Sequence, residues 1–378
     1  MHILFDLRTR ALLPRAAGIY LAALADNFLP ALASEDSVTI LSAQGAELPF
    51  EPIAQHAVTY CQGKHDARSH AGARELAAIA ARQGVDVYLS ADPLVRPPPG
   101  VQTLFAISEV RHFLEPRAFG WCERLRWRFE ARPRLLAAQA VLCPSHALEV
   151  RLIAHAGWQL RRRTRVIESG VEPSFRVVSE ETVLAVRRRW LVPRRYVLMV
   201  ETVGAAANLE VPLRALAQNE EVSAVTCVIV GRRTLPGLMR ERVRACHLEG
   251  MVRYLPVDEL PDADLAALMT GAAAVFEPTR ETDFRPTIAQ ALACGAPVIC
   301  SAGATNQELF GNAVLRVHPT DPAEWAKAFS AVTLSLALRE RLRERGLQCM
   351  AERTWTATAK AVFALAREVA ATRKGAHA

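Results

Sequence analysis

Short, wholly apolar runs alternate with longer stretches of helical periodicity from one end of the chain to the other. Residues 2–8 form the first run, followed by a turn over Leu13–Gly18 and a helix over Ile19–Leu32. Further strands are predicted at Val38–Leu41, Val85–Leu89, Thr103–Ile107, Ala140–Cys143 and Thr164–Ile167. Helices are predicted at Glu75–Gln83, across Arg117–Gln139 and at Ala147–His155, with Ser145 as the N-cap of the last. Residues 173–193 read as a polar connector carrying one short helix, after which the alternation restarts with strands at Tyr196–Val200, Thr226–Val230 and Val252–Tyr254. The restart includes helices at Leu209–Gln218, Leu238–His247 and Asp262–Met269, and three more close the chain after a strand at Val314–Val317. Strands alternating with helices in this way predict an α/β fold built on doubly wound parallel sheets. Two halves of similar size facing across a cleft fit the length better than one large sheet. The expected domains are residues 1–178, residues 179–355, and a C-terminal helix over 356–378 packing back towards the first domain.

One stretch, Phe276–Ser301, has the local order of an anion site. A strand ends at Phe276, a polar loop runs over Pro278–Arg285, and Pro286 opens a short helix that Gly295 closes before the strand Pro297–Cys300. A loop at the carboxyl end of a strand, feeding a helix N-terminus, is where open α/β sheets bind anionic ligands.

Composition narrows the function classes. At 51% hydrophobic residues the chain is globular, and no apolar run reaches the roughly 18 residues of a membrane span. The N-terminal MHILFDLRTR reads as a strand and not as a signal peptide. Eight cysteines are scattered without a CxxC pair, which favours buried free thiols in the cytoplasm over disulfides or a metal site. The histidines show no ligand spacing, so no metal is expected. The net charge is +7, and arginines cluster at 161–163, 187–189, 232–233 and 117–134. An anionic partner or a solvated basic surface both fit that balance, although no nucleic-acid recognition module accompanies it. Within Arg117–Leu136, Phe119, Trp121, Leu125 and Phe129 interleave with arginines. That pattern suits peripheral contact with an anionic membrane, or a surface helix whose Phe119, Trp121 and Leu125 face the core.

Four segments resemble family 4 retaining glycosyltransferases of the GT-B fold: VIESGVEPSFR (Val166–Arg176), YVLMVETVGAAANLEVPLRALA (Tyr196–Ala217), VTCVIVGRR (Val225–Arg233), and FRPTIAQALACGAPVI within the stretch above. The resemblance implies two Rossmann-like domains, a nucleotide-sugar donor in the second, a glycan or lipid-linked acceptor in the first, and neither cofactor nor metal. It also implies polysaccharide biosynthesis. For a chain read as cytoplasmic, the Arg117–Leu136 pattern adds peripheral contact at the inner face of the membrane as an option. Several family positions are altered here. The lysine that neutralises the donor diphosphate is Ala207, the arginine that often accompanies it is Thr202, and the preceding glycine is Glu201. Of two glutamates spaced eight apart, the second is Gln290 and the first falls on Thr282, with Glu281 one residue early. Glu281 is the candidate for the sugar hydroxyls and Gln290 for the ribose. Arg285 at the helix N-terminus, with Arg232 and Arg233 after a neighbouring strand, could replace the missing lysine. On the acceptor side the family's histidine position holds Ser108-Glu109, with His112 a turn later, and the first glycine-rich loop retains only Gly18. Glu308 sits where the family often has a proline-glutamate pair. Two readings stand at this point: an active sugar transferase, or a non-catalytic relative serving as a binding or assembly subunit.

Overall fold

A computed structural model describes residues 1–12, 15–46, 57–114, 117, 119–200, 208–218, 225–231, 237–280 and 286–375. The chain divides into one unit formed by Met1–Gly170 with Thr354–Ala378 and a second formed by Val171–Arg353, so residues 171–178 go with the second.

In the first unit seven parallel strands are ordered β3-β2-β1-β4-β5-β6-β7. They are β1 (His2–Asp6), β2 (Ser37–Ala43), β3 (Val58–Gly63), β4 (Val87–Ser90), β5 (Gln102–Ala106), β6 (Ala140–Cys143) and β7 (Thr164–Val166). The central strands are buried along nearly their whole length, as expected when helices cover both faces of a parallel sheet. Helices α1 (Arg15–Asp26), α2 (His70–Gln83), α3 (Arg111–Leu114), α4 (Trp121–Arg126), α5 (Arg132–Ala137) and α6 (His146–Ala156) connect them. Between α4 and α5 the helix continues as a π segment, Trp127–Ala131.

Three details differ from the pattern read in the sequence. The strand β3 has no counterpart in that pattern, because it is an edge strand with half-exposed positions and no apolar run. Ser69 caps α2 by accepting from the Gly72 amide, so that helix begins at His70 and not at Glu75. The helix expected at Ile19–Leu32 runs instead from Arg15 to Asp26, which places Gly18 in its first turn and not in a loop.

The second unit has six parallel strands ordered β10-β9-β8-β11-β12-β13. These are β8 (Tyr196–Val200), β9 (Thr226–Gly231), β10 (Val252–Pro256), β11 (Ala274–Glu277), β12 (Val298–Ser301) and β13 (Leu315–Val317). Its helices are α7 (Glu180–Arg189), α8 (Glu210–Ala217), α9 (Gly237–Ala245), α10 (Asp262–Gly271), α11 (Pro286–Ala293), α12 (Ala304–Phe310), α13 (Pro322–Leu334) and α14 (Leu336–Met350). Phe276 on β11 packs edge-on against Trp325 and Phe329 of α13 at the centre of one core layer.

The chain then returns to the first unit as α15 (Trp355–Gly375). Trp355, Val362, Phe363 and Ala366 join the same core cluster as Ile3, Phe5 and Phe28, and the rings of Phe5, Phe28 and Phe363 lie 6.0–6.3 Å apart. A Cβ at Gly170 would stand 2.1 Å from the Trp355 backbone nitrogen, so the outgoing and returning passages of the chain cross on that missing side chain.

Candidate functional site

In the second unit the chain winds from β8 outward to β9 and β10, then resumes on the other side of β8 with β11. Loops leaving β8 and β11 therefore diverge, and doubly wound sheets bind ligands at this point beyond the carboxyl ends of their strands. Asn208, just before α8, has a left-handed backbone with φ of 52°, a conformation asparagine tolerates better than most residues. Its side-chain nitrogen donates to the Pro278 carbonyl at 3.0 Å and to the Pro319 carbonyl at 2.6 Å, and its oxygen accepts from Arg280 Nε at 3.0 Å. One buried asparagine thus ties the approach to α8 to the segment after β11 and orients an exposed guanidinium there.

Beside it, Glu277 ends β11 with its carboxylate buried and accepting from the Thr279 hydroxyl. Its register partner Cys300 is an inert thiol, pushed up to about 12 by burial and secondarily by the Glu277 charge. Ser301 donates to the Pro278 carbonyl at 2.9 Å, and Asn306 donates to the Ser301 carbonyl at 3.0 Å. Asn306 Oδ1 and the Thr305 hydroxyl are buried at the start of α12 with no hydrogen-bond partner among the described residues. Buried polar atoms are seldom left so unless water or a ligand serves them.

Helix α11 is held at its far end by a Schellman turn. The amide of Gly295 donates to the Leu292 carbonyl at 2.9 Å, and that of Ala296 to the Ala291 carbonyl at 3.0 Å. Gly295 has φ of 70°, which fits the glycine there. Gln290, buried on this helix, donates through Nε2 to Glu172 Oε2 at 3.3 Å. A carboxylate from the segment before α7 therefore stands against the glutamine that occupies the ribose-binding position expected above. Glu308 lies on α12, near its C-terminal end.

In the first unit the corresponding reversal lies between β1 and β4, and protein groups fill it. The Arg8 guanidinium donates to Asp6 at 2.8 and 2.9 Å and to the Gly72 carbonyl at 3.1 Å, while Tyr88 donates to Asp6 at 2.9 Å. Burial works against the Arg8 charge, but the hydrogen bonds and charge of Asp6 outweigh it and keep Arg8 protonated. Arg68 reaches Asp92 at 2.8 Å after β4. Ser108, after β5, is buried, and its hydroxyl has no partner among the described residues. The same holds for the Ser169 and Tyr20 hydroxyls and the Trp355 ring nitrogen, and the Tyr20 and Trp355 rings meet edge-on at 5.4 Å. Glu109 is half-buried beside Ser108. His112 is stacked between Phe119 at 3.9 Å and Trp127 at 4.0 Å and contacts Glu123 at 3.0 Å. Burial lowers its pKa, with Glu123 opposing, which leaves the ring mainly neutral. Gly18 is packed under the Arg10 carbonyl, 3.1 Å from where its Cβ would be.

Thr202, Ala207, Arg232, Arg233, Glu281, Thr282 and Arg285 lie outside the described residues. Of the donor-side residues named from sequence, Gln290 is therefore the one whose partner can be given. Sequence reasoning missed Glu172, Arg280, Glu277 and the Thr305–Asn306 pair. Asn208 and Glu172 were both visible inside the quoted segments, but their partners lie 70 and 118 residues away.

Residues 187–348 match the sequence model of the family described as Glycosyl transferases group 1, a span inside the second unit. A curated D-inositol 3-phosphate glycosyltransferase from Salinispora arenicola is 27% identical over 273 residues, covering 65% of this chain and 59% of the relative. The match thus spans less than two-thirds of that relative's length. Among solved structures, sucrose-phosphate synthase from Thermosynechococcus elongatus superposes with a TM-score of 0.77 at 18% identity, over 98% of this chain and 99% of that one. HepE from Anabaena, solved in complex with UDP and glucose, gives a TM-score of 0.73 at 18% identity over 97% and 99%. The chain has the GT-B fold, with two Rossmann-like parallel-sheet units, and its second unit resembles group 1 glycosyl transferases across residues 187–348.

Proposed function

We propose that this protein is a glycosyltransferase that takes a sugar from a nucleotide-sugar donor held by the second unit. The observation that carries the reading is the Asn208 tie at the β8/β11 reversal, with Arg280 fixed beside it. That place in the fold is where a diphosphate is best met by a guanidinium and helix N-termini. HepE, with the same fold, was solved with UDP and glucose, which supports a uridine or similar nucleotide as the donor's leaving group. Arg280 and Arg285, with Arg232 or Arg233, would neutralise the diphosphate in place of the lysine that Ala207 lacks. Gln290 with Glu172 would hold the ribose, Thr202 and Thr282 would line the donor, and Glu281 would address the sugar. Ser108, Glu109 and His112 would face the acceptor, a glycan or lipid-linked sugar of polysaccharide biosynthesis. Transfer would retain configuration, need no metal and take place in the cytoplasm.

Calorimetry with UDP and GDP tests the reading. Wild type should bind one of them, and Arg285→Ala should weaken that binding by about 1–3 kcal/mol, the range of a charge-assisted contact. A second reading, a non-catalytic assembly subunit, is favoured by Ala207 and Glu201 at positions where the resemblance expects a lysine and a glycine. No binding of either nucleotide by wild type, together with copurification of an active transferase, would establish that alternative.

A further inference from the structure

The segment Trp121–Ala137 carries a surface that the proposed chemistry does not use. Trp121 is 67% exposed, Leu125 45% and Phe129 67%. Side chains of this size at such exposure, in line on one helix, form the kind of apolar patch that marks an interaction site. The expectation that Trp121 and Leu125 face the core is overturned: the inward side is held instead by Trp127, stacked on His112, and by buried Ala131 and Leu135.

The π segment accounts for the alignment. In an α-helix a step of four residues advances about 40° beyond a full turn, so Leu125 is rotated from Trp121. A π turn holds more residues, so the next step of four, which runs into Trp127–Ala131, falls short of a full turn and brings Phe129 back towards Trp121.

Beside this stripe runs a second one, Arg124, Arg128 and Arg132, all exposed and each three residues after an apolar member. The Arg128 guanidinium lies over the Phe129 ring at 5.8 Å, which sets its charge against the aromatic surface. Of the segment's glutamates, Glu130 is paired with Arg126 and Arg134, while Glu123 contacts the His112 ring. Arg132 also donates to the Ala156 carbonyl at 2.6 Å, which joins the stripe to the start of the turn bearing Trp158, 76% exposed, and the exposed Arg161 and Arg162. No helix among the described residues is long and apolar enough to cross a membrane.

We propose that this face docks on an anionic lipid bilayer, with Trp121, Leu125, Phe129 and Trp158 entering the interface and the arginines meeting lipid phosphates. The charge selects this occupant: a basic stripe with no carboxylate partner among the described residues, flanking an apolar one, is complementary to a negative surface, and it would repel the same stripe on a second copy.

The test is cosedimentation of the full chain with vesicles of phosphatidylcholine alone and of phosphatidylcholine mixed equally with phosphatidylglycerol. The protein should partition at least tenfold more strongly onto the anionic vesicles. The triple variant Trp121→Ser/Leu125→Ser/Phe129→Ser and, separately, Arg124→Glu/Arg128→Glu should each lose at least tenfold, with unchanged thermal melting. Equal binding to both vesicle types, no binding, or wild-type binding by both variants would overturn the proposal. So would a dimer in gel filtration that the triple variant converts to monomer while vesicle binding is absent. Vesicle binding requires no sugar donor, so the result stands apart from the glycosyltransferase reading.

Discussion

Gln290 and Glu172 form an unsymmetrical pair: the amide donates and the carboxylate accepts, so the contact at 3.3 Å carries a single negative charge. A glutamate at position 290, as the family resemblance would place there, would bring two carboxylates to that distance, where both cannot ionise cheaply. The glutamine is thus matched to Glu172 and is more than a weakened glutamate. In Gln290→Glu, repulsion raises one carboxyl pKa in the folded protein, so the penalty is present above that raised value and absent below the unfolded value of about 4.3. Urea denaturation should show a deficit of about 1–2 kcal/mol at pH 7 that shrinks towards zero near pH 4, and adding Glu172→Gln should restore the wild-type value. A deficit independent of pH would mean that the pair does not set the choice of residue. The sequence showed Gln290 through its distance from Ala293-Cys294-Gly295. It could not show Glu172 as its partner, because nothing local links residues 118 apart.

At the scale of elements, the strands were legible because a sheet covered on both faces needs unbroken apolar runs, as in Tyr196–Val200 and Val298–Ser301. An edge strand has no such need, and VTYCQG at Val58–Gly63, half-exposed along most of its length, carries no such run. The Trp121–Ala137 segment was readable as helical, yet the direction of its aromatics was not, since the π turn changes the period on which that reading depends. The end of α11 was legible because the glycine has a geometric task. Gly295 has φ of 70°, and a Cβ would also meet the Arg343 guanidinium at 2.7 Å. Arg343 is flexible at that end, so backbone conformation supplies most of the cost. Gly295→Ala should lose about 1–2 kcal/mol in urea denaturation, and Gly295→Asn less, because asparagine visits the left-handed region more readily. Equal losses for the two variants would point to the Arg343 contact instead of the turn.

For the molecule as a whole, the first unit is completed by the last helix of the chain, and Asp36 is one of the polar points at which the two meet. Its carboxylate accepts from Arg367 at 2.5 and 3.2 Å and from the Ala33 amide at 3.0 Å, and it pairs with the Met1 amino group at 3.2 Å. Burial by itself would raise the Asp36 pKa, but these donors together outweigh it and hold the pKa below the ordinary 3.8. Arg367 is partly exposed, so solvent screening reduces its share, and loss of the charge in Asp36→Asn should cost about 1–2 kcal/mol near neutral pH. Because the folded pKa is depressed, the contribution is fully present above 3.8 and is lost as pH falls through the lower folded value. The stability difference between wild type and Asp36→Asn should therefore be constant from pH 7 down to about 4 and close below it. Hydrogen exchange resolved by peptide should place the loss in α15 and its neighbours α1, β4 and β5. A variant that exchanges faster in the second unit, or whose deficit does not narrow as the pH is taken below 3.8, would show that Asp36 does not act by anchoring the returning helix.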